Sequence, residues 1–310
     1  MLRDPAAVHQ PTTSSTCPAG PEPAQGALEH VRVSAGTAAV LGLQPLRQEY
    51  PPSTAYLMVG ERCRYDCKYC AQARTSNAQS DCLSRVIWPS FAWADTLKAI
   101  SAGHEQGLIK RCCLQVTAST GHVERAEGLV RDLSGVEGLP ICVSIAAQSL
   151  ETVRRLLNSG AERVTLALDA ATEGVFRRSK GQGWTRRLNL LRRSAQEFPG
   201  QIGTHLIVGM GETEREMAER LQEMLDRNVT VGLFAFTPVT GTAWARHSAP
   251  AITQYRRIQA AWHLMRLKRI RLDQILFGVE GQIKSFGLSP AETTTWLADG
   301  TAFQTSGCLA

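Results

Sequence analysis

No apolar run in this chain approaches the roughly 20 residues that a membrane-spanning helix needs, so the sequence predicts no transmembrane segment. The first residues, Met1-Leu2-Arg3-Asp4-Pro5, lack the apolar stretch of a secretory signal. Evenly spread, pairable cysteines are also missing. The nine present are odd in number and clustered, which speaks against a disulfide framework and for a reducing compartment. These lacks lead us to expect a cytoplasmic protein. No G-x-G-x-x-G follows the first strand-like run, so a nucleotide-binding open sheet loses its main support. No recognised nucleic-acid motif accompanies the modest formal charge of +6, and no nucleic-acid partner is expected.

What is present is a globular composition, 43% hydrophobic and 20% charged over 310 residues, enough for one large domain with a full core. Residues 1–35 are rich in Pro, Ala, Ser, Thr and Gly and are expected to form a flexible tail before a domain over 36–310. From about residue 50, short β-rich runs alternate with helical patterns. Strands are expected at Thr54–Val59, Arg111–Thr117, Ile141–Ile145, Arg163–Leu168, Ile202–Val208, Val229–Phe236, Asp273–Phe277 and Thr301–Thr305. Strands separated by helices imply βαβ units and a parallel sheet. Seven or eight such units predict a (β/α)8 barrel, complete or nearly so, with a doubly wound open sheet as the second choice.

The chain's most informative stretch follows the first of these strands. Cys63, Cys67 and Cys70 stand in a C-x3-C-x2-C spacing, one ligand short of a closed structural zinc site. A centre that keeps a position open serves a substrate or cofactor, and iron–sulfur clusters are held by cysteines at short spacings of this kind. In a parallel barrel, active sites lie at the C-terminal ends of the strands, where this loop sits. Cys112 and Cys113 fall in the second strand and Cys142 in the third, and Cys308 follows the eighth. Strand alternation lets only one of Cys112 and Cys113 face the barrel interior. Each buried cysteine alone reads as a small apolar core residue, and several together as ligands. The basic runs, Arg177, Arg178, Lys180, Arg186, Arg187, Arg192 and Arg193, then Arg256 to Arg271, read as solvated helix faces or as a docking surface for an acidic partner.

With Tyr69 before its last cysteine, the loop resembles that of the radical S-adenosylmethionine (SAM) enzymes. The resemblance implies that Cys63, Cys67 and Cys70 hold a 4Fe–4S cluster whose open iron binds SAM. It also implies reductive cleavage of SAM to a 5′-deoxyadenosyl radical, with a flavodoxin or ferredoxin as electron donor. Gly203-Thr204-His205-Leu206-Ile207-Val208-Gly209-Met210-Gly211-Glu212 resembles the family's fifth-strand motif, with Ile207, Gly209 and Glu212 matching and His205 replacing the first glycine. Those residues and Tyr69 are implied in SAM binding. So is Asp169, at the end of strand four, whose other reading is a helix N-cap.

The overall order is similar to biotin synthase, through Cys67-Lys68-Tyr69-Cys70 and Gly-Leu-Pro-Ile-Cys142. Two of that enzyme's second-cluster cysteines have counterparts at Cys112 or Cys113 and Cys142, and the third falls on Gly203. Leu83–Pro89, Asp169–Thr172 and Thr305-Ser306-Gly307-Cys308 resemble the two-component lipoyl synthases. That likeness implies sulfur insertion into an octanoyl chain on an acidic lipoyl carrier protein, a second synthase subunit, and an auxiliary cluster on Cys112, Cys113, Cys142 and Cys308. The competing expectations are a biotin-synthase-like enzyme with a small-molecule substrate and a non-catalytic iron–sulfur or zinc-binding protein.

Overall fold

A computed structural model of the chain describes residues 29–304. The main sheet has eight strands: β1 (His30–Val33), β2 (Thr54–Val59), β3 (Ser90–Ala92), β4 (Arg111–Val116), β5 (Ile141–Ser144), β6 (Arg163–Thr165), β7 (Ile202–Val208) and β8 (Thr230–Ala235). Their order is β8-β7-β6-β5-β4-β2-β1-β3. From β2 through β8 the pairing is parallel, whereas β1 runs antiparallel to both β2 and β3. Helices α1 (Ala35–Val40), α2 (Trp93–Glu105), α3 (His122–Ser134), α4 (Leu150–Asn158), α5 (Glu173–Lys180), α6 (Trp184–Glu197), α7 (Glu214–Asp226), α8 (Ile252–Arg266) and α9 (Pro290–Leu297) connect and cover it. No helix among the described residues is long and apolar enough to cross a membrane.

The fold is α/β with a mostly parallel central sheet; of the barrel expected to be complete or nearly so, six parallel strands are present, extended at one edge by β1 and β3 through antiparallel pairing. Among the described residues, β8 and β3 are the outer strands and do not pair with each other. The expected seventh strand fails because Gly278 and Gly281, the latter at φ +78°, turn the chain back. Leu276–Phe277 then pairs antiparallel with Ile283–Ser285, apart from the main sheet. At the expected eighth strand the Asp299 carboxylate accepts from the Thr301 N–H at 2.9 Å and hydroxyl at 2.7 Å. That local bonding competes with a ladder, and Thr301–Phe303 is a 3-10 turn instead. The expected tail over 1–35 gives way to β1 at His30, whose Val31 and Val33 are buried. Cys17 and Cys308 lie outside the described residues.

Alternation along the parallel strands divides the side chains into two faces. Ala55, Leu57, Cys112, Leu114, Ile141, Val143, Val164 and Ile202 join the apolar core with Leu129, Val130, Leu156 and Leu221 of the covering helices. The opposite face carries Arg111, Cys113, Gln115, Cys142, Ser144, Arg163, Thr165 and His205. A parallel sheet buried on both faces reads as continuous apolar runs. Here one face mixes polar side chains with Met58 and Ile207, and at Ser144, near the strand ends, it borders the cavity of the cysteine loop. Cys112 belongs to the apolar face and is fully buried there. Cys112→Ser should therefore cost about 1–3 kcal/mol of stability, by placing a hydroxyl in that core, as measured by denaturant unfolding, and leave bound iron unchanged.

Candidate active site

The cysteine loop leaves β2 at Gly60, whose φ of +94° suits glycine. A Cβ there would lie 2.5 Å from Thr117 Oγ1 and 2.7 Å from Ser119 Oγ, so only glycine lets the loop turn this close to the end of β4. Backbone bonds then fix the loop. The Cys63 N–H donates to the Gln72 carbonyl at 2.9 Å, Arg64 N–H to Ala118 at 3.0 Å, and Lys68 N–H to Ser179 at 2.8 Å. The Arg62 guanidinium donates to the carbonyls of Ala71, Ala73, Ser76 and Ala78, tying the returning segment to the loop's start.

Cys63, Cys67 and Cys70 are free thiols, half-buried at the C-terminal edge of the sheet. Cys63 and Cys67 line a cavity of about 150 Å³ with Tyr65, Ser144, Ile145, Lys180 and Arg187. Burial pushes the Cys67 thiol up, partly offset by Lys180. Burial and the neighbouring Cys67 push Cys70 up to about 12. Thiols in this state are not ionised at neutral pH by the protein alone. A metal centre reverses this, because a coordinating thiol is deprotonated by the metal's own charge. No three described His, Cys, Asp or Glu side chains converge tightly enough for one metal ion. Three thiols on one loop, one short of a closed tetrahedral set, fit a cluster with one corner left open.

Tyr69 and Asp169, implied only by resemblance, do meet. The Tyr69 hydroxyl donates to Asp169 Oδ2 at 2.6 Å, and Lys180 Nζ donates to the same oxygen and to the Ala167 carbonyl at 2.9 Å. Asp169 sits at φ +66° and bridges to β7, with its N–H on the His205 carbonyl at 2.8 Å. It is not a helix N-cap, since Thr172 caps α5. Burial alone would raise the Asp169 carboxyl, but Lys180, His205 and the Tyr69 hydroxyl outweigh it and hold the group below the usual carboxylate range. Burial lowers His205, whose ring packs edge-on to Phe234 at 5.4 Å.

Ile207 is half-buried on the mixed face of β7, and Gly209 turns the chain at φ +96°, where a Cβ would lie 2.7 Å from the Pro250 ring. The buried Glu212 accepts from the N–H groups of Gly209 at 2.6 Å and Met210 at 3.1 Å. Its carboxylate thus closes this turn. Lys180 was not singled out from the sequence, where it is one member of a basic run read as a solvated helix face or a docking surface. Its side chain is only 8% exposed, and the signal was its place at the end of a short helix beside Phe176.

The second set of cysteines is split. Cys113 and Cys142 stand in register on adjacent strands of the mixed face, whereas Cys112 faces the opposite core. Gly203 offers no ligand, and Cys308 is not among the described residues. Two thiols do not make a complete auxiliary-cluster site, so no sulfur-transfer step is routed through one.

The radical SAM superfamily signature matches residues 57–225, more than half of the chain. The chain belongs to the radical SAM superfamily. It is 25% identical to the biotin synthase of Magnetococcus marinus over 178 residues, 56% of this chain and 53% of that protein. The matched region thus spans about half the length of this curated relative. Crystal structures with a similar fold include methylornithine synthase (PylB), at TM-score 0.54 and 18% identity, covering 70% of this chain and 63% of that one. The FeFe-hydrogenase maturase HydG of Carboxydothermus hydrogenoformans follows at TM-score 0.53 and 16% identity, covering 82% and 69%. This is a radical SAM fold of the biotin synthase, HydG and PylB type, and the family carries a 4Fe–4S cluster and SAM.

Removing Lys180 isolates the Asp169 carboxylate. Lys180→Met should cost about 3–5 kcal/mol at pH 7, and Lys180→Met/Asp169→Asn should recover much of it. The pH dependence reverses sign. In the wild type the Asp169 pKa lies below its unfolded value, so its contribution is present above about pH 4 and lost as pH falls through the folded pKa. In Lys180→Met, burial, the largest cause, is opposed only by His205 and the Tyr69 hydroxyl; it outweighs them, the folded pKa rises above the unfolded one, and stability increases from pH 7 to pH 5. Urea unfolding at both pH values checks this.

Proposed function

We propose that the chain reductively cleaves SAM and uses the resulting radical to abstract hydrogen from an unactivated carbon; the carbon radical would then bond a sulfide of an iron–sulfur donor carried by a second synthase subunit, whose iron would take up the electron. The observation that carries the reading is the half-buried trio Cys63, Cys67 and Cys70 at the end of β2, two of which, Cys63 and Cys67, line a cavity with Lys180 and Arg187. The bound cluster and SAM supply the one-electron chemistry, which no acid–base side chain can perform. The chain's own residues hold and shield it. The three cysteines would ligate the cluster, with Arg62 and the Gln72 carbonyl keeping their loop in place. Lys180 supplies a fixed positive charge facing the cavity, held by Asp169. Tyr69 and Asp169 join the cysteine loop to the end of β6, so the cluster's loop and the SAM side of the cavity share one hydrogen-bonded frame. The glycine turn at Gly209, braced by Glu212, offers backbone close to a cofactor at the β7 end.

For the acceptor of the radical, lipoyl synthesis on an octanoylated acidic carrier is supported by the sequence likeness and by the basic mouth. Arg64 and Arg187 flank the Tyr65 ring at 5.4 and 5.6 Å, and Arg186 stands beside them. A small-molecule, biotin-synthase-like substrate is the second reading, supported by the likeness to the Magnetococcus marinus biotin synthase. In either case a flavodoxin or ferredoxin would deliver the electron.

A Cys63→Ala/Cys67→Ala/Cys70→Ala variant, reconstituted anaerobically, should lose one cluster's worth of iron and all 5′-deoxyadenosine formation with SAM and dithionite. Wild-type protein that binds iron and SAM yet makes no 5′-deoxyadenosine would refute the reading.

A further inference from the structure

Beside the cavity of the cysteine loop lies a second one of about 270 Å³, whose lining includes Tyr65, Gln148, Gln182, Arg186, Arg187 and Leu190. Tyr65, Gln182 and Arg187 line both cavities, so the two adjoin. Tyr65 stands between Cys63 and Cys67 in the chain and forms part of the shared wall. Its hydroxyl accepts from Gln148 Nε2 at 2.7 Å, and the Arg186 guanidinium donates to Gln148 Oε1. Arg64 Cζ and Arg187 Cζ lie 5.4 and 5.6 Å from its ring centroid. The wall is thus held from the cysteine loop, from the loop before α4 and from α6.

Charge separates the two cavities. On the inner side the Lys180 amine is already neutralised by Asp169. On the outer side no carboxylate lines the cavity. Arg154, Arg192, Arg220 and Arg257 on other helix faces each meet a carboxylate. Among the described residues, Arg64, Arg186 and Arg187 enter no ion pair. Two guanidiniums in one cavity without a counter-charge repel each other, and an anion placed there relieves that repulsion. Both arise from the first turn of α6 but reach different walls, Arg186 at Gln148 and Arg187 over Tyr65. A carboxylate matches the planar fork of a guanidinium. The apolar Leu190 beside them suits a carboxylate carried on a carbon stem better than a bare inorganic anion.

We propose that this outer cavity seats an acidic side chain that neighbours the acylated residue of the carrier, while the uncharged acyl chain passes Tyr65 into the inner cavity. This rests on the carrier reading above. Arg186 and Arg187 then select the sequence around the modified residue, and the inner cavity selects the chain. The anion stays outside because the unpaired positive charge is there. The partner this fits is an acidic peptide with a carboxylate directly beside its acylated lysine.

The test titrates two synthetic peptides by calorimetry into the cluster-loaded enzyme with SAM. Each carries one octanoyl-lysine, flanked by glutamates in the first and by glutamines in the second. The glutamate peptide should bind about tenfold more tightly at low salt, and its advantage should shrink as salt is raised. Arg186→Gln/Arg187→Gln should abolish the preference. Lys98→Gln/Lys110→Gln removes the same charge from exposed positions on α2 and before β4 and should keep it. If the arginine pair cannot be replaced without unfolding, Arg186→Gln alone, at an exposed position, should reduce the preference. Equal affinity for the two peptides, no binding of either, or a preference that survives loss of both arginines would overturn the proposal. With the octanoyl group deuterated, deuterium in the 5′-deoxyadenosine reports separately whether that chain is the radical's target. Equal affinities with deuterium transfer overturn the seat and leave the carrier reading standing. A glutamate preference without deuterium transfer keeps the seat and counts against the octanoyl target.

Discussion

Every second residue of six parallel strands points to one face, and in this chain that face carries the sheet's charged and most of its polar side chains beside Met58, Ile207 and Phe234. The rest of the architecture depends on that alternation. Helices pack on the apolar face, where Leu57, Leu114, Val143 and Val164 meet α3 and α4, and leave the other face to border the site's cavity. Parallel strands also bring all their C-terminal ends to one rim. The cysteine loop, the Asp169 turn and the Gly209 turn therefore gather there although they lie far apart in the chain.

At that rim the electrostatics are arranged around burial. Thiols enclosed this far resist ionisation, and Tyr69 is likewise pushed well above the ordinary phenol range by burial and the adjacent Asp169. Lys180 is the compensating charge. It holds Asp169 ionised, and through Tyr69 that pair reaches back to the cysteine loop. A rigid frame of this kind suits chemistry carried by a bound cluster and cofactor, for which the protein contributes position and enclosure.

Much of this was legible in the residues. The βα alternation was enough to place the loop of Cys63, Cys67 and Cys70 at the end of the first parallel strand. Tyr69 and Asp169 were reached through resemblance, and the structure joins them by a hydrogen bond that no spacing could show. What could not be read were features set by tertiary partners. His30–Val33 is a strand because β2 and β3 offer it edges, not because its composition stands out. Leu276–Phe277 has strand character but pairs with its own hairpin. Lys180 looked solvated because a basic run hides the one member whose amine turns inward. Alternation predicted that only one of Cys112 and Cys113 faces inward, but not which, and the register with Cys142 assigns that place to Cys113.

The central claim is that the three-cysteine loop holds a 4Fe–4S cluster with one iron left for SAM. Electron paramagnetic resonance of the anaerobically reconstituted, dithionite-reduced protein, recorded without and with SAM, tests it most directly. The account predicts a reduced 4Fe–4S signal whose g-values and line shape change when SAM is added. A signal indifferent to SAM, or a protein that takes up zinc and no iron, would contradict it.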